Sequence, residues 1–160
     1  STPAGYTALH FAATIWHSEN LATLAKRVPR DFLDTGSADD GFTPLMLAVC
    51  AGLYDNVSSL LSLGADPRVT DKNGATAVHL AVFFFNVECL AVLLADERVD
   101  VNAADATGRT AMDYIVEGRN SACRKLLLQR GGVSKYTGLY HVQPPAMFFP
   151  EKSNGGWVGC

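Results

Sequence analysis

The amino-acid sequence predicts an all-α protein built from stacked helical repeats, and three observations lead to this prediction. The pattern Gly-x-Thr recurs at Gly5, Gly41, Gly74 and Gly108, at separations of 36, 33 and 34 residues. Each recurrence opens an apolar helical stretch that is followed by a second one. Hydrophobic residues make up 48% of the 160-residue chain and charged residues 18%, which is typical of a globular protein. Because one helix pair cannot bury its apolar faces alone, each repeat must stack on the next.

The residues at the helix ends support the same division. A threonine at the start of each first helix supplies an N-cap oxygen. Pro44 lies early in its helix, where its missing N–H is not needed. Gly64 and the pair Gly131–Gly132 follow apolar runs and are predicted to be left-handed C-caps. Pro29 is expected to end the second helix of the first repeat.

Composition excludes several classes of protein. The net charge of −3 argues against a nucleic-acid surface, which needs clustered lysine and arginine. No apolar run approaches the roughly 18 residues of a membrane span, and no secretory signal is visible at the N-terminus. Cys50, Cys89, Cys123 and Cys160 have no metal or redox spacing. The first three fall among apolar helical residues and are predicted to be buried thiols, which favours a reducing compartment such as the cytoplasm or nucleus.

No pattern in the chain indicates catalysis or metal binding. A phosphate loop, a nucleophile elbow and metal-ligand spacing are all missing from the sequence. The segment "DTGSADDG" at residues 34–41 lacks the alternating ligands and terminal glutamate of a calcium loop, so it is interpreted as a solvated hairpin tip. The sequence therefore predicts a protein that is not an enzyme and that carries no cofactor and no metal.

The repeats resemble the ankyrin repeat. The resemblance rests on "TALH" at Thr7–His10, "TPL" at Thr43–Leu45, "TAVH" at Thr76–His79 and "LGADP" at Leu63–Pro67, and it covers residues 5–132. It implies an ankyrin-repeat solenoid of stacked helix-turn-helix units with β-hairpin or turn tips, followed by an irregular C-terminal extension. The expected repeats within residues 1–132 are 5–39, 40–71, 72–105 and 106–132, and the extension is 133–160.

The resemblance also assigns roles to single residues. It implies that His10 and His79 hydrogen-bond to neighbouring threonine and loop groups, so their role is structural. Asp113 stands at the same histidine position in the fourth repeat, whose first helix is therefore expected to be shortened. Asn102, with Leu94 eight residues before it, resembles the ankyrin asparagines that asparaginyl hydroxylases modify. The alternative, which we favour, is an asparagine that stabilises its turn.

The run "AVFFFNV" at residues 81–87 raises the question of what three consecutive phenylalanines face. Helical residues point about 100° apart, so they cannot all lie on one buried stripe. In the ankyrin family the concave surface carries the partner-facing positions. By that resemblance, the partner-binding residues here are Tyr6, Ile15, Trp16, Phe42, Lys72, Phe83, Phe84 and Arg109. Lys72 and Arg109 would orient a carboxylate or a backbone carbonyl.

A competing interpretation is that one or two of these rings fill space between repeats. Trp16 and Phe85 stand where the family usually has glycine, and Phe85 itself is predicted to pack.

The last segment of the chain, residues 133–160, has no helical period and is rich in aromatic residues. The side chains expected to make contacts are Tyr136, Tyr140, Met147, Phe148, Phe149 and Trp157. Prolines in this segment favour an extended chain. Three interpretations are open: a cap on the fourth repeat, a peptide ligand of an aromatic groove in this or a neighbouring copy, or the start of a further or fused segment.

The leading functional hypothesis is a non-enzymatic protein-interaction module that binds a peptide or helical segment of another protein on its concave, aromatic-rich face. The partner could also be its own C-terminal tail, and neither nucleic acid nor membrane is expected as a partner. The alternative is an ankyrin section of a larger channel, enzyme or transcription regulator, with a structural or autoinhibitory role.

Overall fold

The fold is a row of helix pairs arranged in two layers. The computed structural model describes residues 5–15, 18–116 and 120–135. The first layer contains α1 (Ala8–Ala13), α3 (Pro44–Cys50), α5 (Ala77–Phe83) and a 3₁₀ helix at Ala111–Tyr114. The second layer contains α2 (Ser18–Ala25), α4 (Tyr54–Ser62), α6 (Val87–Ala95) and α7 (Ser121–Gln129). In the first three repeats the two helices of each pair pack on each other, and in both layers each helix packs on its counterpart in the adjoining repeat, which confirms the predicted all-α solenoid.

The short first helix of the fourth repeat is confirmed, because residues 111–114 form only a 3₁₀ turn. The predicted left-handed C-caps are present at Gly64 and Gly131. The expectation for Pro29 was wrong in detail. Helix α2 already ends at Ala25. Just beyond it, the Arg27 N–H donates to Leu24 O, three residues earlier, at 2.9 Å, so the helix closes in a 3₁₀-type turn. Pro29 instead precedes a second 3₁₀ helix, Arg30–Leu33.

The turns that join successive repeats stack directly on one another as a row of tips. The Lys72 N–H donates to Asp40 O at 3.0 Å, and the Ala106 N–H donates to Asn73 O at 2.9 Å. Gly74 has a φ of +75°, and a Cβ there would lie 2.6 Å from the backbone nitrogen of Ala106. Only glycine satisfies both conditions. Within the described residues the tips are turns, with one antiparallel bridge between Ala104 and Thr110.

The core lies between the layers and between neighbouring repeats. Its fully buried side chains are mostly leucine, valine and alanine. Cys50, Cys89 and Cys123 are buried among them, as predicted. Burial also raises the pKa of the Cys89 thiol to about 11, so this group stays protonated at neutral pH.

Three asparagines bind each repeat to the one before it. The Asn56 Nδ2 donates to Ala13 O at 3.0 Å and to Ile15 O at 2.7 Å. The Asn86 Nδ2 donates to Val49 O at 2.6 Å, and the Asn120 Nδ2 donates to Val82 O at 3.2 Å. The three asparagines share one kind of acceptor, the carbonyl group of a residue that lies eight positions after a repeat glycine, near the end of a first helix: Ala13, Val49 or Val82. Orphan carbonyls at each of these helix ends are therefore satisfied by the following repeat.

Replacing Asn56 by alanine is expected to destabilise the protein by about 1–3 kcal/mol, because two carbonyl groups lose their donor at a site that is closed to water. Urea unfolding measures the change. Asn20→Ala is the matched control, since Asn20 is also the third residue of its helix but is exposed. Equal losses in the two variants would show that the bridging hydrogen bonds contribute nothing.

Candidate partner-binding surface

Two histidines fix the geometry of the tips. The Nδ1 of His10 accepts from the Thr7 N–H at 3.0 Å and lies 2.8 Å from the Thr7 hydroxyl oxygen. Because Nδ1 accepts, Nε2 carries the proton and donates to Phe42 O in the next repeat at 2.8 Å. His79 repeats this arrangement with Thr76 and with Arg109 O, the latter at 3.1 Å.

These bonds confirm the structural role that the resemblance implies for both histidines. Each ring satisfies its own helix N-terminus and holds the tip of the following repeat. Burial is the main cause of the lowered pKa of His10 and His79, so the neutral ring is the stable form in the folded protein.

In the first three repeats, charged and aromatic side chains lie together at the tips. The hydroxyl of Tyr6 donates to Asp40 Oδ2 at 3.4 Å, and the ammonium group of Lys72 donates to Ala38 O. Burial raises the pKa of the Asp40 carboxyl, an effect that neighbouring Asp39 reinforces and Lys72 opposes. Tyr6 of the first repeat and Lys72 of the third thus both interact with Asp40 of the second.

In the third and fourth repeats, the side chains at the ends of the first helices are aromatic. The rings of Phe83 and Phe84 meet edge to face, with centroids 5.1 Å apart, and both are partly buried against the core. Phe83 also lies edge to face with Tyr114 at 6.5 Å. Tyr114 donates its hydroxyl hydrogen to Asp105 Oδ2, and the same carboxylate accepts the Arg109 N–H at 3.0 Å through Oδ1. Both rings thus pack in part against the core, as the competing interpretation expects, and keep part of their surface accessible. Their partner-facing role stays a prediction.

Phe85 contradicts its predicted packing role. Its side chain is 45% exposed, and its φ of 60° makes it the one residue other than glycine with a left-handed backbone in the described chain. Gly52, at the equivalent position of the second repeat, has a φ of 72°. The position requires a left-handed backbone to turn from the first helix into the second, and that turn directs the Phe85 side chain outward. The correspondence of Phe85 to a family glycine indicates a left-handed turn at this position, but it does not give the direction of the side chain.

The remaining predicted residues are distributed as follows. Ile15 is exposed at the end of the first repeat's first helix. Phe42 is partly buried, with its backbone held by His10 and by the Ser37 side chain. Arg109 is partly buried beside Tyr114, where its charge acts on the tyrosine hydroxyl. Trp16 and residues 136–160 lie outside the described residues.

Sequence reasoning missed Phe11 and Tyr114, which extend the two aromatic groups. The Phe11 ring lies 6.1 Å from that of Tyr6, and Tyr114 lies 5.5 Å from the ring of His79. Both stand six residues after a repeat glycine, where Leu47 and Leu80 stand in the other repeats. An aromatic residue at that otherwise aliphatic position was the available signal.

Both polar atoms of the Asn102 side-chain amide form hydrogen bonds. Its Nδ2 donates to Gly131 O at 3.1 Å, and its Oδ1 accepts the Val133 N–H at 2.9 Å. Its backbone N–H donates to Asp100 Oδ1 at 2.9 Å. The side chain of Asn102 therefore joins its turn to the residues that follow α7, whereas the Asp100 carboxylate holds the turn itself. Hydroxylation of Asn102 stays a prediction.

Within residues 5–15, 18–116 and 120–135, no group of three or more histidine, cysteine, aspartate or glutamate side chains is arranged to hold a metal ion. Across the same residues, each helix is too short or too polar to reach from one side of a bilayer to the other.

Comparison with known proteins agrees with the stacked helix pairs and with the histidine-capped tips. The family model described as "Ankyrin repeats (3 copies)" matches residues 1–71 and 57–137. The chain belongs to the ankyrin-repeat family. Ankyrin repeats form protein–protein interaction modules, so the broad class of function is established together with the fold.

Several curated ankyrin-containing proteins are similar to this chain. Transient receptor potential cation channel subfamily A member 1 of Homo sapiens is 35% identical over 126 residues, which are 77% of this chain and 11% of the channel protein. Protein lin-12 of Caenorhabditis elegans is 30% identical over 142 residues, 82% of this chain and 10% of that protein. The B-cell lymphoma 3 protein homolog of Mus musculus is 39% identical over 95 residues, 56% of this chain and 20% of that protein. The chain spans at most a fifth of the length of these relatives.

The lowered pKa of the two tip histidines predicts the pH dependence of stability. The unfolded chain takes up protons near pH 6.5, while the folded protein takes them up only at lower pH. Stability is therefore fully present above about pH 6.5 and falls as the pH drops toward the folded pKa.

Urea midpoints at several pH values between 7.5 and 5.5, in steps of about half a unit, measure this loss in the window set by the histidine pKa. The His10→Gln/His79→Gln variant keeps an acceptor at each position and is expected to show a flatter dependence. An equal slope in the variant and the wild type would assign the dependence to other groups.

Phe85→Gly is expected to stabilise the protein by about 1 kcal/mol, because glycine adopts a φ of 60° without strain. Gly52→Ala is the matched opposite change and is expected to destabilise by about the same amount. Urea unfolding of both variants tests this. A loss of stability in Phe85→Gly would mean that the buried half of the ring outweighs the backbone strain.

Proposed function

We propose that this chain is a non-enzymatic interaction module that holds an apolar peptide or helical segment of a partner protein against its first-helix layer and tips. The binding surface consists of Tyr6, Ile15, Trp16, Phe42, Lys72, Phe83, Phe84 and Arg109, and Phe85 is added to it. We refer to this set as the concave surface.

The observation that carries this proposal is the aromatic run at the end of α5. Phe83 and Phe84 retain accessible ring surface, and Phe85 continues them into solvent at a strained backbone position. Each exposed aromatic gains roughly 1.5–3 kcal/mol when it is covered. Strained backbone tends to persist where function requires it, and aromatic residues supply many of the dominant contacts at protein interfaces. A hydrophobic partner segment is therefore the ligand that this run favours.

Polar groups at the tips supply direction. Lys72 and Arg109 belong to successive tips: Lys72 lies in the turn that ends at Gly74, and Arg109 directly follows the turn that ends at Gly108. Both cationic groups are suited to donate hydrogen bonds to a carboxylate or a backbone carbonyl of a bound segment. Apolar anchors on the first-helix layer and donors at the tips together match an amphipathic helix or an extended peptide.

An alternative function is an ankyrin section of a larger channel, enzyme or transcription regulator that packs against its own chain. It is favoured by the small share of its relatives that this chain spans, among them a cation channel. In either case the three buried thiols suit a reducing compartment, and we propose the cytoplasm or nucleus as its location.

The test begins with a displayed library of random peptides long enough for several helical turns. The tightest selected peptide is labelled, and its Kd is measured by fluorescence anisotropy against the wild type and single variants. Phe84→Ala is expected to weaken binding about tenfold or more, which corresponds to about 1.4 kcal/mol. Phe85→Gly is expected to weaken binding while raising the melting temperature, and that opposition separates a binding role from a folding role.

Phe32→Ala is the matched control, because Phe32 is also an exposed phenylalanine but lies on the 3₁₀ helix between the first two repeats. It should leave the Kd unchanged. If the selected peptides bind all three variants as well as the wild type, the concave surface is not the site. If no peptide is selected, the function of packing against the rest of a longer chain gains support.

A further inference from the structure

Among the described residues, the fourth repeat keeps exposed an apolar face whose counterparts in the second and third repeats are covered by the following repeat. We define the end face as Met112, Ile115, Val116 and Leu128. Val116 is 49% exposed, whereas Val49 and Val82, which stand at the same repeat position, are fully buried. Leu128 is 55% exposed, whereas its counterpart Leu94 is 4% exposed. The difference arises where a further helix pair would otherwise stack.

Residues 133–135 already occupy the place of a following tip. In the earlier repeats, the residue at the histidine position bonds to the next tip: His10 to Phe42 O, and His79 to Arg109 O. In the fourth repeat, Asp113 stands at that position and accepts the Ser134 hydroxyl hydrogen and, at 3.3 Å, the Lys135 N–H.

Two further bonds fix the same segment. The Thr110 hydroxyl donates to Val133 O at 2.8 Å, and Asn102 Oδ1 accepts the Val133 N–H at 2.9 Å. Aspartate suits this position because the groups that reach it are hydrogen-bond donors, a hydroxyl and a backbone N–H. His10 and His79 instead donate to carbonyl acceptors. The chain therefore leaves Lys135 at the edge of the end face, held as a substitute tip.

We propose that residues 136–160 continue from this substitute tip across the end face and cap the fourth repeat in cis. Their aromatic and sulfur-containing side chains, above all Met147, Phe148 and Phe149, supply the apolar cover. Pro144, Pro145 and Pro150 disfavour a further helix, so the cap is an extended segment and not a fifth helix pair.

Length and chemistry both suit this occupant. Helix α7 is nine residues long, about 13 Å, and an extended chain advances about 3.3 Å per residue, so only a few residues are needed to cross the face. Arg124 stands where Val57 and Leu90 are buried in the earlier repeats. Arg124 is exposed at this position, and guanidinium groups stack well on aromatic rings.

A double-mutant cycle on the full chain tests the cap, with thermal unfolding as the readout. One variant changes the tail, Phe148→Ser/Phe149→Ser. A second changes the end face, Val116→Thr/Leu128→Gln, and a third carries both pairs. Each pair alone is expected to lower Tm by about 3–6 °C, and the combined variant by hardly more than either, because both remove the same contact. Phe32→Ser combined with the tail change is the matched control and should give additive losses.

Additive losses for the tail and end-face changes, or no loss from the tail change, would overturn the proposal. Light scattering on the same samples identifies the occupant. Coupling in a monomer supports the cis cap, whereas coupling that appears only with a concentration-dependent dimer overturns it in favour of the tail of a second copy. Coupling of the tail change to Phe84→Ala instead of to the end-face variant would place the tail on the concave surface and also overturn the cap. Since the readout is Tm and not peptide affinity, failure here leaves the proposed binding function standing.

Discussion

The structure depends on polar contacts that cross the interfaces between repeats and accompany the apolar core. At the tip side, His10 and His79 each reach a carbonyl of the following repeat. At the opposite side, Asn56, Asn86 and Asn120 each reach a carbonyl of the preceding repeat. A buried polar group without a partner destabilises the fold, so these bonds allow one register of stacking and disfavour others. The second repeat has Met46 at the histidine position, and there the backbone bond between Lys72 and Asp40 holds the tips together.

This regular stacking makes the concave surface a fixed platform. The backbone at the ends of the first helices cannot shift without breaking hydrogen bonds to the asparagine of the following repeat. Phe83 borders the next repeat, where its ring meets that of Tyr114, and Phe84 packs against Phe83, so both rings are partly buried. Phe85 lies beyond this constraint and extends into solvent. A surface preorganised in this way loses little entropy when a partner covers it.

The open end of the row has a different consequence. Residues 133–135 form with Asp113 and Thr110 the kind of bonds that a following tip forms in the earlier repeats. The described part of the chain thus continues one step past its last helix pair, with residues 133–135 in the position of a tip. Terminal units of repeat proteins need such protection because their outer face has no neighbour.

The sequence by itself determined the repeat architecture, since the spacing of glycine and threonine, the two helical periods and the capping residues all agree. It determined the buried thiols for the same reason, whereas the structural role of the histidines followed from the resemblance to the ankyrin repeat. Only the tertiary structure decided which of the three phenylalanines is exposed, because that depends on the left-handed turn after α5 and on Tyr114 from the next repeat. The bridging asparagines were also beyond sequence reasoning. Asn56 is the third residue of its helix, whereas Asn86 and Asn120 precede theirs, so only the stacking of the repeats brings all three to equivalent carbonyls.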